Sequence, residues 1–398
     1  MSEKNDNKVP NVPNLRFSSF SDEWTTTLLK DSASFYKGTA ISKEELSEDG
    51  HPCILYGELY TTYKTEKIED VKSKTSLPAE KLVKSKANDV IIPASGETPI
   101  DIATACCIMN DDILLGGDLN IIRIKNHNGV FLSCQLNGKR KLDIAKIAQG
   151  ASIVHLHNDD LKKLKCYFPR TLCEEEKIVA FLSKIDERIE TQSKIISNLE
   201  SLIKGIRQRI FSASNFNIHN SKEYELGSFL SEYSKKNIEN NLISVSVGKY
   251  GIRRRDEIYS KELSDDYSKN KVIEKDSLII GMGSTQIDIG ILSKDEKYCV
   301  SPAYTTYKIS GINSDYLREY LIHLNSLLSK RYMVIGARQG KSVNKSELMQ
   351  HVLLVHNIEK QLQVVDIFNA FYDKLQKEKD ILALYKKQKA YLLQNMFI

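Results

Sequence analysis

The chain lacks the segments that would place it in or across a membrane. None of its apolar runs reaches the length of a membrane span, and residues 1–13 contain no apolar core of the kind that a secretory signal needs. Its seven cysteines are odd in number and include no Cys-x-x-Cys pair or other metal-ligand spacing. A cytoplasmic protein with reduced thiols and no membrane partner is therefore expected.

Catalytic motifs are absent as well. The sequence has no Asn-Pro-Pro-aromatic or Asp-Pro-Pro-aromatic motif, no Gly-x-Gly-x-x-Gly after a strand, no Gly-x-Ser-x-Gly and no His-Glu-x-x-His. Its eight histidines do not cluster at the spacing of metal ligands. We therefore expect a chain that is not an enzyme and that holds neither metal nor cofactor. The net charge of +5 is compatible with a nucleic-acid partner but does not require one.

One segment is similar to a nucleotide-binding P-loop. Residues 336–342 read Gly-Ala-Arg-Gln-Gly-Lys-Ser, with one residue fewer between the glycines than a P-loop needs to wrap phosphates. The matching place in the first half, residues 148–152, keeps the Gln-Gly pair but has no lysine. A nucleotide enzyme built around Lys341 is thus the least favoured alternative. A turn that touches DNA is preferred, and a plain surface loop is a close second.

The sequence repeats itself at an offset of about 186 residues. Residues 174–182 correspond to 360–368, and each copy closes on an apolar residue followed by phenylalanine. Upstream, residues 99–103 correspond to 286–290, with Ile-Asp-Ile at the centre of both. A unit this long is not a solenoid repeat. It predicts a two-fold architecture within one chain, which suits a target with two separated half-sites, above all DNA.

Each copy contains a predicted long helix. In residues 178–210, apolar residues recur at alternating spacings of four and three over more than four heptads, which predicts a coiled coil. The second copy, residues 364–396, is weaker because Glu378 and Lys389 interrupt it. Gln192 lies at the place of Glu378, where a polar residue either fixes the register or marks a solvent-facing break. The predicted interface residues are Ile178, Leu182, Ile185, Ile189, Ile196, Leu199, Ile203, Val364, Phe368, Phe371, Leu375, Leu382 and Leu392.

The rest of each copy consists of short β-rich runs separated by clusters of turn residues. The predicted fold class is therefore α+β, with two α/β globules that are each followed by a long helix. The predicted domains are a disordered tail (1–20), a first globule (21–172), a central helix (173–213), a second globule (214–357) and a C-terminal helix (358–398).

Basic residues mark the candidate DNA contacts. One run in each globule combines cations with flexible or aromatic neighbours, which favours contact with phosphates and base edges. The alternative, a solvated surface loop, holds for most such runs in proteins. The predicted DNA-binding residues are Tyr63, Lys64, Lys139, Arg140, Lys141, Gln149, Lys249, Tyr250, Arg253, Arg254, Arg255, Arg338, Gln339 and Lys341.

Over nearly its whole length, the sequence resembles the specificity subunits of type I restriction-modification systems. The resemblance lies in the two-copy plan and in the sequence signature of the helix. That signature reads Glu-Glu at 174–175, Ile-Val-Ala-Phe-Leu at 178–182, Asp-Glu-Arg-Ile at 186–189 and a closing Phe211.

The two copies depart from the family pattern at some positions. Glu175 stands where the family has glutamine, which the second copy keeps as Gln361, and residues 372–375 are more diverged. Trp24, matched by Tyr224, fits the family's opening of each unit, and the Gln-Gly pairs fit a recurrent late turn.

The resemblance implies a non-catalytic DNA-binding subunit. Each globule would be a target-recognition domain for one half of a bipartite, asymmetric site in double-stranded DNA. The long helices would pair as an antiparallel coiled coil with pseudo-two-fold symmetry, space the globules and dock two modification subunits. S-adenosylmethionine, ATP and Mg²⁺ would act in the modification and restriction subunits. A coiled-coil scaffold that binds proteins without recognising DNA remains the alternative.

Overall fold

A computed structural model of the chain describes residues 11–63, 65–150, 153–216, 220–248, 251–258, 266–336 and 340–398. The chain divides into two compact units: unit 1 is Met1–Lys194 with Asp380–Ile398, and unit 2 is Ile195–Lys379. Each unit contains one globule and a part of both long helices, so the units cut across the predicted domain boundaries.

Unit 1 begins with a globule of short strands and helices. Its strands are β1 Thr25–Leu28, β2 Ala33–Lys37, β3 Leu46–Ser47, β4 His51–Ile54, β5 Lys67–Ile68, β6 Ser73–Thr75, β7 Asp89–Pro93, β8 Ser95–Gly96, β9 Cys106–Ile108, β10 Leu114–Leu115, β11 Leu119–Ile124, β12 Val154–His155 and β13 Lys165–Phe168. Its helices are α1 Leu29–Ser32, α2 Glu58–Thr61, α3 Pro99–Ile102, α4 Gly129–Asn137, α5 Lys141–Ile147 and α6 Asn158–Leu161.

The central sheet of unit 1 has the strand order β2-β11-β7-β9-β5, and a smaller sheet has the order β10-β4-β6-β3. β11 runs antiparallel to β2 and β7, with Ile122 opposite both Phe35 and Val90. β7 is buried at every position: residues 90–93 are apolar, as expected for a strand inside a core, and the buried carboxylate of Asp89 pairs with Arg123. The side chain of Asn128 caps α4 by accepting a hydrogen bond from the backbone N–H of Phe131.

The globule of unit 2 is built from a similar set of elements. Its strands are β14 Ser221–Glu225, β15 Leu230–Tyr233, β16 Ser244–Gly248, β17 Gly251–Arg254, β18 Lys271–Ile273, β19 Ser277–Met282, β20 Ile287–Leu292, β21 Tyr298–Val300, β22 Thr305–Ile309, β23 Met333–Gly336, β24 Gly340–Val343 and β25 Val352–His356. Its helices are α8 Ser314–Tyr332 and α9 Lys345–Met349; the long helices are α7 Leu172–Ile210 and α10 Ile358–Asn395.

The sheets of unit 2 repeat the plan of unit 1. The central order is β15-β22-β19-β20, the smaller sheet is β17-β16-β21-β18, and Asn313 caps α8 as Asn128 caps α4. In each unit the first strand pairs antiparallel with the strand before the long helix, β1 with β13 and β14 with β25. The duplicated α+β architecture predicted from the sequence is confirmed.

Each long helix makes the same hydrogen bond to its globule near the start of the helix. The Glu175 carboxylate accepts a hydrogen bond of 2.7 Å from the backbone N–H of Asn128. The amide oxygen of Gln361 accepts one of 3.0 Å from the backbone N–H of Asn313. A carboxylate and an amide oxygen are both acceptors, so either residue satisfies the N–H group before the capped helix. The departure from the family's glutamine at position 175 therefore preserves the contact.

The two long helices pack together within each unit. In unit 1 the first part of α7 and the last part of α10 share one core, and in unit 2 the last part of α7 and the first part of α10 share another. The helices are therefore antiparallel in both units. The buried interface residues are Ile178, Leu182, Ile185, Leu199, Ile203, Val364, Phe368, Leu375 and Leu392, while Ile189, Ile196, Phe371 and Leu382 are half-buried.

Lys389 is not an exposed interruption of this packing. Its ammonium group is buried in unit 1, 2.6 Å from a carboxylate oxygen of Glu66 and 2.6 Å from one of Asp186. Burial opposes the positive charge, but the two carboxylates outweigh it and keep the pKa of Lys389 above its ordinary value. The lysine thereby connects α10 to α7 and to the globule.

Residues 11–20 belong to the segment predicted to be a disordered tail, but they make specific contacts within unit 1. The Arg16 guanidinium donates two hydrogen bonds, of 2.7 and 2.8 Å, to the buried carboxylate of Glu174, which also accepts one from the indole N–H of Trp24. Phe17 packs edge-on against Phe181, with ring centroids 5.7 Å apart. Residues 11–20 are thus part of unit 1, because they supply the cation that a buried glutamate requires.

Two correspondences between the copies do not extend to the structure. Residues 99–103 form α3 and its end, whereas 286–290 lie at the start of β20. Trp24 is buried, but Tyr224 is an exposed residue of β14 whose ring packs on Phe229. Tyr224 is therefore not the structural counterpart of Trp24.

Candidate nucleic-acid interface

The hairpin of β16 and β17 carries the arginine run of unit 2. Gly290 of β20 leaves room for this hairpin, because a Cβ atom there would lie 2.8 Å from side-chain atoms of both Ile252 and Val247. Ile252 therefore faces β20. Successive side chains of a strand point to opposite faces, so Arg253 faces away from β20, opposite Ser246.

The three arginines have different surroundings. Arg254 donates two hydrogen bonds to Asp256, with Nη2 2.6 Å from Oδ2, and this contact holds the pKa of Asp256 below its usual value. The Arg255 guanidinium donates a long hydrogen bond of 3.4 Å to the Ser246 hydroxyl. Arg253 is exposed on the outward face of the hairpin. Of the three, Arg253 is the best placed for a base edge or a phosphate, while Lys249 and Tyr250 lie outside the described residues.

Arg140, in the basic run of unit 1, is committed to contacts inside the protein. Its Nη2 donates a 2.6 Å hydrogen bond to the backbone oxygen of Ile398, and its Nη1 donates one of 2.8 Å to Asp143. The guanidinium also lies over the Tyr167 ring, 4.8 Å from its centroid. We therefore correct the prediction for Arg140, which is a structural residue of unit 1 rather than a group aimed at DNA.

The two neighbouring lysines of this run are not equivalent. Lys139 is exposed, whereas Lys141 is half-buried, and burial lowers its pKa. Of the three residues in this basic run, only Lys139 is an exposed cation of the kind that contacts phosphate.

Substitutions at Arg140 and Lys139 should separate these roles. Arg140→Ala is expected to lower the stability of the chain by about 1.5–3 kcal/mol, because it removes hydrogen bonds made by a charged group. Lys139→Ala should leave the melting temperature unchanged and reduce the salt slope of DNA binding by about one. Thermal unfolding and salt-dependent DNA titrations measure the two effects. The reverse pattern would show that Arg140 contacts DNA.

The described residues of the segment that is similar to a P-loop lie in two paired strands. β23 and β24 pair antiparallel, with Gly336 opposite Gly340, and the Lys341 ammonium donates a hydrogen bond to the backbone oxygen of Ser284. A P-loop requires its Gly-Lys-Ser to open a helix, and here that segment is a strand. Arg338 and Gln339 lie outside the described residues. The nucleotide-enzyme alternative therefore loses its structural basis.

The remaining candidates in unit 1 differ in exposure. Gln149 is exposed and forms a two-way backbone bridge with His155, with hydrogen bonds of 2.9 and 2.7 Å. Tyr63 is half-buried, packs against an apolar cluster and accepts a hydrogen bond from the backbone N–H of Lys72; burial raises its pKa to about 12. Tyr63 is better explained as a core residue, and Lys64 lies outside the described residues.

Several structural residues could not be found from the sequence pattern. The ion pairs of Glu174 and Lys389 join positions 158 or more residues apart, and no local motif marks them.

Within the described ranges, no group of three or more His, Cys, Asp or Glu residues is placed to hold a metal ion. In the same part of the chain, no helix combines the length and the apolar character needed to cross a membrane.

Comparisons with known proteins agree with this architecture. Residues 21–201 match the family described as "Type I restriction modification DNA specificity domain". The S subunit of a type I restriction-modification system from M. genitalium superposes with a TM-score of 0.54 at 15% identity, covering 97% of this chain and 99% of that one. A chain from a structure of type I R-M complex assembly and conformational transition gives a TM-score of 0.60 at 14% identity, covering 93% and 96%.

Sequence comparison with curated proteins gives no match. At 14–15% identity the two structures establish the fold alone, and the family match establishes the domain in the first half. The resemblance predicted from the helix signature is thus confirmed by an independent domain match and by a fold shared over nearly the whole chain. Residues 21–201 therefore match the DNA specificity domain of type I restriction-modification systems, and the fold of the chain is similar over nearly its whole length to that of the S subunit from M. genitalium.

Proposed function

We propose that the chain reads a bipartite, asymmetric sequence in double-stranded DNA, with one half-site for each globule. The observation that carries this proposal is a repeated scaffold with different outer surfaces. Both globules are anchored on a long helix through the same acceptor position, Glu175 or Gln361. In unit 2, β16 and β17 pair antiparallel, and β17 with the residue after it carries three arginines, at 253–255. In unit 1, β4 and β6 are joined by a longer segment that contains α2 and β5. Different surfaces on one scaffold imply different half-sites.

The long helices are proposed to dock two modification subunits. Unit 1 exposes Phe181 (37%) and Ile381 (37%), and unit 2 exposes Ile367 (41%) and Ile195 (37%). Phe181 is equivalent to Ile367 in the repeat, and Ile195 is equivalent to Ile381, so each unit presents the same pair of apolar side chains. Exposed apolar groups that recur in this way suit a partner surface. Two equivalent surfaces fit two copies of one partner.

The chemistry is assigned to those partners. Specificity subunits are generally non-catalytic, and we propose that this chain has no catalytic site and binds no cofactor itself. S-adenosylmethionine would bind to the modification subunits, and ATP and Mg²⁺ would serve restriction subunits that join them. The complex would work in the cytoplasm, where its DNA substrate lies.

Methylation mapping tests the reading function. Adenine methylation is compared in cells that carry the modification subunit with and without this chain. The expected result is one bipartite motif with two unlike halves that appears only when the chain is present. Methylation of the same motif without the chain, or of a symmetric motif, would overturn the proposal.

Glutamate at either docking surface should remove one partner. Phe181→Glu and Ile367→Glu each place a charge in an apolar contact, and each should weaken the binding of one modification subunit by at least about tenfold. Native mass spectrometry should then show one bound modification subunit instead of two. The control is Asn369→Glu, because two residues along a helix turn the side chain about 200° away from Ile367. Full occupancy in both variants would show that docking occurs elsewhere.

A further inference from the structure

The repeated Ile-Asp-Ile places one aspartate in each globule, and the two have different environments. In unit 1, Asp101 lies in α3, where its carboxylate accepts a 2.6 Å hydrogen bond from the Thr98 hydroxyl. The backbone N–H of Asp101 in turn donates a hydrogen bond to the hydroxyl oxygen of Thr98. This is a local helix cap. In unit 2, Asp288 lies in β20, and within the described part of the chain no donor makes a hydrogen bond or ion pair with its carboxylate.

Asp288 is half-buried beside an exposed glycine turn. It lies opposite Gly281 in the β19–β20 ladder, and the Tyr304 ring covers that glycine so closely that a Cβ atom there would be 2.3 Å from the ring. A Cβ atom at Gly283 would lie 2.6 Å from Asp288 Oδ1, so the carboxylate faces the turn at 283–286. Ser284 and Thr285 of that turn are exposed. The glycines allow another backbone or a ligand to approach the carboxylate closely.

An unpaired carboxylate in this position is unfavourable for the free protein. Burial raises the pKa of Asp288, which means that its charged form is disfavoured. An ionised carboxylate can only accept hydrogen bonds, so the missing partner is an N–H or O–H donor. Because the side chain is only half-buried, its carboxylate remains accessible to a donor that approaches from the turn at 283–286. In the major groove of DNA, the donor that carboxylates read is the exocyclic amino group of cytosine.

We propose that Asp288 is a base-reading residue of unit 2. Its carboxylate accepts a hydrogen bond from the exocyclic amino group of a base, cytosine N4 first of all, in the half-site that unit 2 reads. The inference rests on the proposed function, because it requires that unit 2 meets DNA. Asp101 has no such role, since its carboxylate is already used by the cap of α3. Of the two aspartates, only Asp288 therefore reads an amino group, and it does so in the half-site of unit 2.

The test uses the chain assembled with its modification subunits and duplexes that carry each single base-pair change in the unit 2 half-site. Asp288→Ala should weaken cognate binding by about tenfold or more and abolish discrimination at one base pair. Binding to a non-cognate duplex should stay equal or become tighter, because a negative charge near the phosphates has been removed. Asp295→Ala is the matched control: it removes an exposed carboxylate from the turn after β20 and should leave discrimination unchanged.

Two further measurements separate the alternatives. The melting temperature of Asp288→Ala should equal or exceed that of the wild type, whereas a purely structural aspartate would lower it. The assignment of Asp288 would be overturned if Asp288→Ala still discriminated at every base pair as well as the wild type. It would also be overturned if the variant lost the same factor of affinity for cognate and for non-cognate DNA. Failure of the wild-type complex itself to discriminate would instead overturn the proposed function.

Discussion

Replacement of Lys389 by methionine is expected to destabilise the chain by about 3–5 kcal/mol, the range seen when one partner of a buried ion pair is removed. Methionine keeps much of the length of lysine but leaves Glu66 and Asp186 facing each other without a cation. Both carboxylates are at most 15% exposed, so water cannot compensate for the loss. The expected decrease in melting temperature is on the order of 10 °C for a unit of this size.

A matched substitution on the same helix isolates the buried charge. Lys386 is exposed on α10, and Lys386→Met removes the same charge and should change stability by no more than about 0.5 kcal/mol. Adding Glu66→Gln and Asp186→Asn to Lys389→Met should recover much of the stability, because no unpaired charge remains. Equal melting temperatures for Lys389→Met and Lys386→Met would show that the lysine is not part of a buried ion cluster.

The importance of Lys389 could not be predicted from the helix pattern. In a heptad pattern, a lysine at an interface position predicts weaker packing between the helices. The carboxylate that neutralises its buried charge, that of Glu66, is 323 positions away in the sequence. The apolar positions of the same pattern did locate the helices and their buried faces. Periodicity reports which side of a helix is apolar. It does not report which charged group of a distant strand or loop will meet that side.

The repeated Ile-Asp-Ile shows a second limit of sequence reasoning. Residues 99–103 begin with proline after Thr98, and proline at the first position of a helix with threonine as its cap starts α3. Residues 286–290 have neither feature and extend the central sheet as β20. Equal tripeptides in the two copies therefore do not have to adopt the same conformation. The flanking residues and the tertiary context decide the structure.

The candidate DNA contacts were predictable as regions but not as individual residues. The basic runs lie where each globule presents a turn or hairpin, yet Arg140 is bound to Ile398 and Arg254 to Asp256. A cation in the sequence has no visible partner until the chain is folded. Once the partners are known, the exposed candidate cations that have no partner among the described residues are Lys139 in unit 1 and Arg253 in unit 2.

Arg253→Ala should relax the recognition of one half-site by up to about 100-fold at a single base pair, if its guanidinium reads a guanine. On the outward face of β17, no carboxylate of the described residues pairs with Arg253, whereas Arg254 is paired with Asp256. Arg254→Ala should have a smaller effect, since the ion pair with Asp256 already reduces its attraction for DNA. The half-site read by unit 1 should be recognised as before in both variants.

Anisotropy titrations of the assembled complex at several salt concentrations measure these effects on duplexes with single base-pair changes. A guanine contact predicts a loss confined to one position with little change in non-specific binding. A phosphate contact predicts an even loss across sequences and a salt slope reduced by about one. Either result places Arg253 on DNA and tells which kind of contact it makes. Unchanged affinity, salt dependence and specificity in Arg253→Ala, together with a clear loss in Arg254→Ala, would reverse the assignment, because Asp256 would then have to release its arginine to the DNA.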